Sequence, residues 1–503
     1  MSARDLAEIV ADGRWDDFAT LCDNTFFRMA LTCPAELRAA LEAAPEEWLR
    51  RHPRQYYARS SLRAISKRFS VFESEPLETL SAWVAEQDPV LTRDAVTLLI
   101  AQLQYRRFMG QFDEALQVAG QIERAIETST DYVDFDDFVA CMFFPIGATR
   151  LMTGDLAGGI AGFSAALRWS RHWQPHPAER HARNYLATAL ALAGDYRAAV
   201  DLIDPGQPVR RSEPGTVGFL YECGGAFGPA LIALGAYDRK RAAAALEQID
   251  EEARTDEFWW LGVHAQALWQ LHWGEANEAA ALIERALLTF HQLAPAGSMA
   301  RTLLVSDLAD AYLSQGLLDR AMHLLDQPDI ADDSPWTLMS RARLHNLTGN
   351  PRNALDLLGA DGVRTAFLPT PAAWHVIRAN AYHLLRSDDR ADRALEDAAA
   401  AITKLGDRIA FADCAAELRR RLASLAGDAP HARVLYAQRR AAQLTRRELE
   451  VLLALRTKSS VREISQQLFL SPNTVKTHLR NLYRKLGVNT REEALETTRK
   501  LEP

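Results

Sequence analysis

One short pattern returns along the middle of this chain at intervals that only a repetitive fold explains. A glycine is followed two positions on by an apolar residue and five positions on by a small one. It reads Gly110/Phe112/Ala115, Gly154/Leu156/Gly159, Gly194/Tyr196/Ala199, Gly274/Ala276/Ala279, Gly316/Leu318/Ala321 and Gly349/Pro351/Ala354. Gly235/Tyr237 starts another unit with Lys240 at the small position, and Asp389/Ala391/Ala394 completes the series with aspartate replacing glycine. Successive starts lie 33 to 44 residues apart. Each unit implies the same mechanics. An apolar helix ends at the glycine, which tolerates a tight turn, and the small residue lets the returning helix approach the first closely. A chain of 503 residues is too long for a single core, and stacked helix pairs divide it.

Units of this length resemble tetratricopeptide-like helix pairs, at a looser spacing than the strict repeat of about 34 residues. The expected fold is therefore all-α, a helical solenoid over residues 91–426. Residues 1–90 are helical in pattern but poorly periodic, with breaks near Pro34, Pro45, Pro53 and Pro76. They are expected to cap the open apolar end of the stack, with Gly13/Trp15/Phe18 as an atypical further unit. A long helix around Ile402–Leu425 is expected to close the other end. Gly427-Asp428-Ala429-Pro430 opens a linker, 427–440, and Ala437–Gln443 leads into a separate domain at 441–503.

That last domain carries the chemistry. Val475, Leu479, Leu482 and Leu486 recur at helical spacing as one apolar stripe, while Lys476, Thr477, Arg480, Asn481 and Arg484 fill the opposite face. A packed back and a basic, amide-bearing front suit the major groove, walled by phosphates and floored by donors and acceptors. The pairs Thr445/Glu448, Ser460/Glu463 and Thr490/Glu493 have capping-box spacing, and Ser471-Pro472 marks a fourth helix start. The spacing predicts four helices over 445–456, 460–468, 472–486 and 491–500. Only Phe469 and Leu470 stand between the second and third, as a helix-turn-helix requires.

These elements resemble the LuxR-type helix-turn-helix family: LTRRELEVL at 444–452, REI at 462–464, LFLSPNTVKTHLRNLYRKLGV at 468–488, and Arg491 with Ala494. The resemblance covers about an eighth of the chain. It departs at Lys458, where the family usually has glycine, and at Ser465, where it usually has alanine. The resemblance implies that Lys476, Thr477 and Arg480 face base edges and that Asn473, Thr474, Arg484 and Lys485 hold phosphates. It also implies a homodimer on promoter DNA, paired through 491–500 with Leu495 at the seam, and RNA polymerase as a partner. His478, beside the stripe, reads as a packed histidine.

Charge follows the same division. Residues 439–503 hold 14 Lys+Arg and 7 Glu, leaving 44 basic and 59 acidic residues for 1–438 out of totals of 58 and 66. A basic tail on an acidic body favours nucleic acid at one end only. No Gly-x4-Gly-Lys-Ser/Thr motif occurs, so the chain looks like the large ATP-binding LuxR-type regulators without their nucleotide domain. No receiver-like strand pattern, membrane-length apolar run or signal peptide is read, and the expected location is the cytoplasm, at the nucleoid. Cys22, Cys33, Cys141, Cys223 and Cys414 are scattered and read as buried apolar residues. His172, His176 and His181 are separated by prolines and read as a polar loop rather than a metal site. No cofactor is implied, and no nucleophile–base or metal constellation supports an enzyme.

Phe258, Trp259, Trp260, Trp269 and Trp273 fall on one predicted helix with His264 and His272 between them. Adjacent residues cannot both face one core, so at least one of Trp259 and Trp260 is expected on a groove or surface, where it could bind an effector. The whole reads as a sequence-specific transcription regulator whose repeats sense a small-molecule or protein effector. The competing class is a protein-interaction scaffold with vestigial DNA binding.

Overall fold

The computed structural model describes residues 3–66, 74–87, 92–128, 136–172, 178–203 and 227–249. It further describes 257–427 apart from 329, 331–332 and 360–368, then 429–430, 432, 435–436, and 446–495 apart from 458–459, 487, 489 and 492. Among these residues every regular element is helical. From residue 92 onward the body is built of antiparallel helix pairs. The partners are Thr92–Phe108 with Phe112–Thr128, Asp136–Met152 with Leu156–His172, Ala178–Leu192 with Tyr196–Leu202, and Gly228–Gly235 with Arg239–Glu247. The series continues with Trp259–Trp273 and Ala276–Thr289, Met299–Gln315 and Leu318–Leu325, Pro335–Leu347 and Pro351–Leu358, and Pro371–Leu384 and Asp388–Leu405.

The turn is made the same way nearly every time. At Gly316 the backbone is left-handed, φ 77°; its N–H donates to the Leu313 carbonyl at 3.0 Å and the next N–H reaches Tyr312 at 2.9 Å. This Schellman closure satisfies carbonyls that a helix end would leave orphaned. Gly13, Gly110, Gly154, Gly194 and Gly349 repeat it. The small residue five positions on is buried in each unit from Gly110 onward, Ala115, Ala199, Ala321 and Ala354 at 0% exposure and Gly159 likewise buried.

Two units are set differently from the sequence reading. The same pair of hydrogen bonds and the same left-handed backbone occur at Tyr237, φ 58°, and Arg386, φ 55°. The units are thus Tyr237/Arg239/Ala242 and Arg386/Asp388/Ala391, with Ala242 and Ala391 fully buried at the small position. Gly235 is small for another reason: a Cβ there would lie 2.2 Å from the Tyr196 ring. Lys240 and Asp389 are solvent-facing. Gly274 keeps a negative φ of −110°, yet Ala279 behind it is fully buried.

The N-terminal segment folds on its own apolar cluster, in which Phe18, Leu37, Leu41 and Leu49 meet Trp48. Its prolines start helices rather than merely breaking them: Pro34 and Pro53 are first residues of Pro34–Ala43 and Pro53–Ser66, as the missing N–H allows. The expected single closing helix over 402–425 is corrected. Asp388–Leu405 stops at Gly406, φ 78°, a short 3₁₀ turn follows at Ile409–Ala412, and Ala416–Ala426 is a separate helix. Leu435 and Ala432, beyond it, are still buried against the repeat core.

Candidate nucleic-acid interface

Three helices, Arg446–Thr457, Val461–Leu468 and Pro472–Leu486, surround a small core of their own made by Val451, Leu452, Leu455, Ile464, Val475 and Leu482. Leu479 packs half-buried on its edge, so the stripe read from the sequence is the buried face of the third helix. The side chain of Leu486, and those of Arg484, Lys485 and Lys458, lie outside the described residues, as does Thr445.

Local hydrogen bonds fix where each helix begins. Ser460 and Glu463 form a reciprocal capping box. The Ser471 hydroxyl accepts from the Thr474 N–H at 3.1 Å, with Pro472 next in line. Thr490 Oγ1 accepts from Glu493 N–H at 3.2 Å, starting the fourth element, of which 490–491 and 493–495 are described. Arg491 then donates to the Leu455 carbonyl at 2.6 Å, placing a cation at the C-terminal end of the first helix. Ala494 is fully buried, and Leu495 is half-buried against this same core.

Between the second and third helices, Phe469 takes the left-handed conformation, φ 53°, and is 93% exposed. No sequence pattern signals this apolar exposure; the turn demands the backbone, and the ring stands away from the domain's core. Ser465, where the resemblance led to alanine, is buried and donates its hydroxyl to the Arg462 carbonyl at 2.7 Å. The departure is therefore absorbed without leaving a polar group unpaired.

On the third helix Asn473, Lys476, Thr477 and Arg480 are all exposed, at spacings of three, one and three that place them on one face. Thr474 is exposed in the first turn, its hydroxyl 2.7 Å from that of Ser471. Thr477 donates to the Asn473 carbonyl at 3.0 Å, which holds its rotamer. The resulting surface has two long cations, an amide and a hydroxyl at the positive end of a helix dipole, and it can engage phosphates and base edges together. His478 is half-buried beside it.

Residues 442–497 match the family described as "Bacterial regulatory proteins, luxR family", and this domain is a LuxR-family helix-turn-helix. The CsgBAC operon transcriptional regulatory protein of Escherichia coli (strain K12) is 48% identical over 60 residues, covering 12% of this chain and 28% of the relative. The probable csgAB operon transcriptional regulatory protein of Salmonella typhimurium matches to the same extent. The HTH-type transcriptional regulator MalT of Vibrio campbellii is 42% identical over 62 residues, 12% of this chain and 7% of its own. The chain thus spans little more than a quarter of the first two relatives and a small fraction of the third.

The aromatic helix differs from expectation. Trp259 and Trp260 are both 1% exposed, so neither lies on the surface. They are buried on opposite flanks. Trp259 stacks on Phe290 with centroids 4.5 Å apart and edges a cleft of about 420 Å³. Trp260 borders a void of only about 30 Å³, next to the buried Arg107–Glu257 ion pair, room for about one water. Helical pairs have neighbours on both sides, which is how adjacent tryptophans both find cores. His181 is buried on Ala178–Leu192 while His176 lies outside the described residues. Cys22, Cys141 and Cys414 are buried, Cys33 half-buried, and Cys223 lies outside. No described helix is long and apolar enough to cross a membrane.

Proposed function

We propose that this chain is a sequence-specific DNA-binding transcription regulator whose helical repeats receive the signal. One observation carries the reading: Lys476, Thr477 and Arg480 stand exposed on a helix whose back, Val475 and Leu482, is fully buried. Lys476, Thr477 and Arg480 read base edges, and Asn473, Thr474, Arg484 and Lys485 hold the phosphates. The protein binds promoter DNA as a homodimer through 491–500 with Leu495 at the seam, acts on RNA polymerase, and works at the nucleoid. The repeats take a small-molecule or protein effector, with Trp259 the better placed of the two tryptophans because it edges the larger cleft. The domains run 1–90, 91–426, 427–440 and 441–503.

The test is duplex binding by the full chain at two salt concentrations. Several phosphate contacts imply a loss of about 10³-fold or more between 50 and 200 mM salt. Arg480→Ala is expected to cost about 1–3 kcal/mol on the preferred site and relax preference at one base pair, whereas Lys485→Ala weakens all sequences alike. Salt-insensitive binding, or two variants with the same sequence-blind loss, overturns the assignment.

A further inference from the structure

The repeat body holds a cluster of charged side chains that none of the foregoing uses. It surrounds a partly open cavity of about 110 Å³. Arg343 donates from Nε and Nη2 to both oxygens of Asp413, at 3.0 and 2.8 Å, and from Nη1 to Asp310 at 2.8 Å. His264 Nδ1 lies 2.7 Å from Asp307 Oδ2. Three carboxylates therefore face one guanidinium and one imidazole across the cavity, an excess of negative charge in a site largely withdrawn from water.

Polar atoms are also left over. Apart from the Ser340 side chain, which hydrogen-bonds this carboxyl, the second oxygen of Asp310 meets no donor, and Nδ1 of His272, a ring that lines the cavity and is 5% exposed, has no hydrogen-bond partner. Burial pushes Asp310 up to about 7; Arg343 opposes that shift, and the charges of Asp413 and Asp307 reinforce it. Burial, with the Arg343 charge adding to it, pushes His272 down to about 3, so this ring is neutral and one of its nitrogens accepts. Buried acceptors without donors are costly, and a ligand that brings both a positive charge and N–H groups satisfies them together.

The roof of the cavity is Tyr436, whose ring lies 5.2 Å from the Arg343 guanidinium. Its neighbour Leu435 is tied down by an N–H donated to the Ala412 carbonyl at 3.2 Å, and Arg419 donates to the Ala432 carbonyl. Ala432, Leu435 and Tyr436, in the linker, are the last described residues before the DNA-binding domain.

We propose that the cavity binds a small ammonium-bearing molecule, held by Asp310 and His272 under the Tyr436 ring, and that Leu435 and Tyr436 register its occupancy. The site is distinct from the cleft beside Trp259; only its regulatory consequence rests on the repeats being the sensor. The volume is below the cavity of about 150 Å³ that accepts benzene, which fits an aliphatic amine of about five heavy atoms.

Calorimetric titration of the full chain with n-butylammonium at fixed ionic strength tests this, with n-butanol and butyrate as the uncharged and anionic counterparts. One saturable site for n-butylammonium is expected, at least tenfold tighter than for n-butanol, with no butyrate binding. Asp310→Asn should weaken it at least tenfold with the circular dichroism spectrum unchanged. Should that variant not fold, Tyr436→Leu, which removes the roof ring, should show the weakening instead. Amide exchange at Leu435 and Tyr436 should slow on binding. Absence of n-butylammonium binding, equal affinity for n-butanol, or affinity untouched by the folded variant overturns the site. Unchanged exchange at Leu435 and Tyr436 overturns the link to the DNA-binding domain. Because the titration contains no DNA, its failure leaves the regulator reading standing, and failed DNA binding leaves the cavity site standing.

Discussion

Truncating Trp260 to alanine measures how much of the aromatic helix is core. The indole is 1% exposed, 6.5 Å from the Phe258 ring, and set against the Arg107–Glu257 pair. A buried tryptophan removes about 150–250 Å² from water. At about 25 cal/mol per Å² this is about 4–6 kcal/mol, an upper bound because the unfolded chain is already partly collapsed. Large aromatic-to-alanine changes in cores cost about 3–5 kcal/mol, more where the site cannot collapse. Here the new cavity merges with an existing void of about 30 Å³ walled by a buried ion pair, so the cost should fall in the upper half of that range. Trp259→Ala should cost less, because its ring edges a cleft of about 420 Å³ from which water can fill the space. Urea unfolding of the full-length variants, followed by circular dichroism, compares midpoints and slopes. A Trp260→Ala loss under about 1 kcal/mol, or a larger loss for Trp259→Ala, would refute the core assignment.

Two other perturbations probe the packing. Ala242→Leu should destabilise by about 1–3 kcal/mol through overpacking, while Lys240→Leu should stay within about 0.5 kcal/mol; the reverse order in thermal melts would restore the Gly235 register. Asp407 is fully buried, and burial, helped by the charge of Asp413, pushes its carboxyl up to about 7. The folded state thus holds a proton that the unfolded chain releases near its ordinary value of about 3.8. That contribution is complete below pH 4 and is lost as pH rises towards 7, so the thermal midpoint should fall between pH 5 and 7. Asp407→Asn should flatten that fall, and an unchanged profile would refute the attribution.

What the sequence determined by itself is whatever is settled within about five residues of chain. Helix starts at Ser460, Ser471 and Thr490 depend on a hydroxyl reaching an N–H three positions on. Turns at Gly110, Gly154, Gly194, Gly316 and Gly349 depend on one left-handed residue. The exposed face of the third helix follows from a period of 3.6. The reading failed where a residue's reason lay far along the chain. Gly235 is small because Tyr196 packs on it, 39 positions earlier, and the left-handed turn belongs to Tyr237. Trp259 and Trp260 are both buried because each meets a different neighbouring pair. The acidic cavity has no sequence signature, since Arg343 meets Asp413 from 70 positions away and His264 meets Asp307 from 43. Local hydrogen bonds and periodicity are written residue by residue, but which buried charges share a cavity is decided only when the stacked pairs curve and bring distant helices face to face.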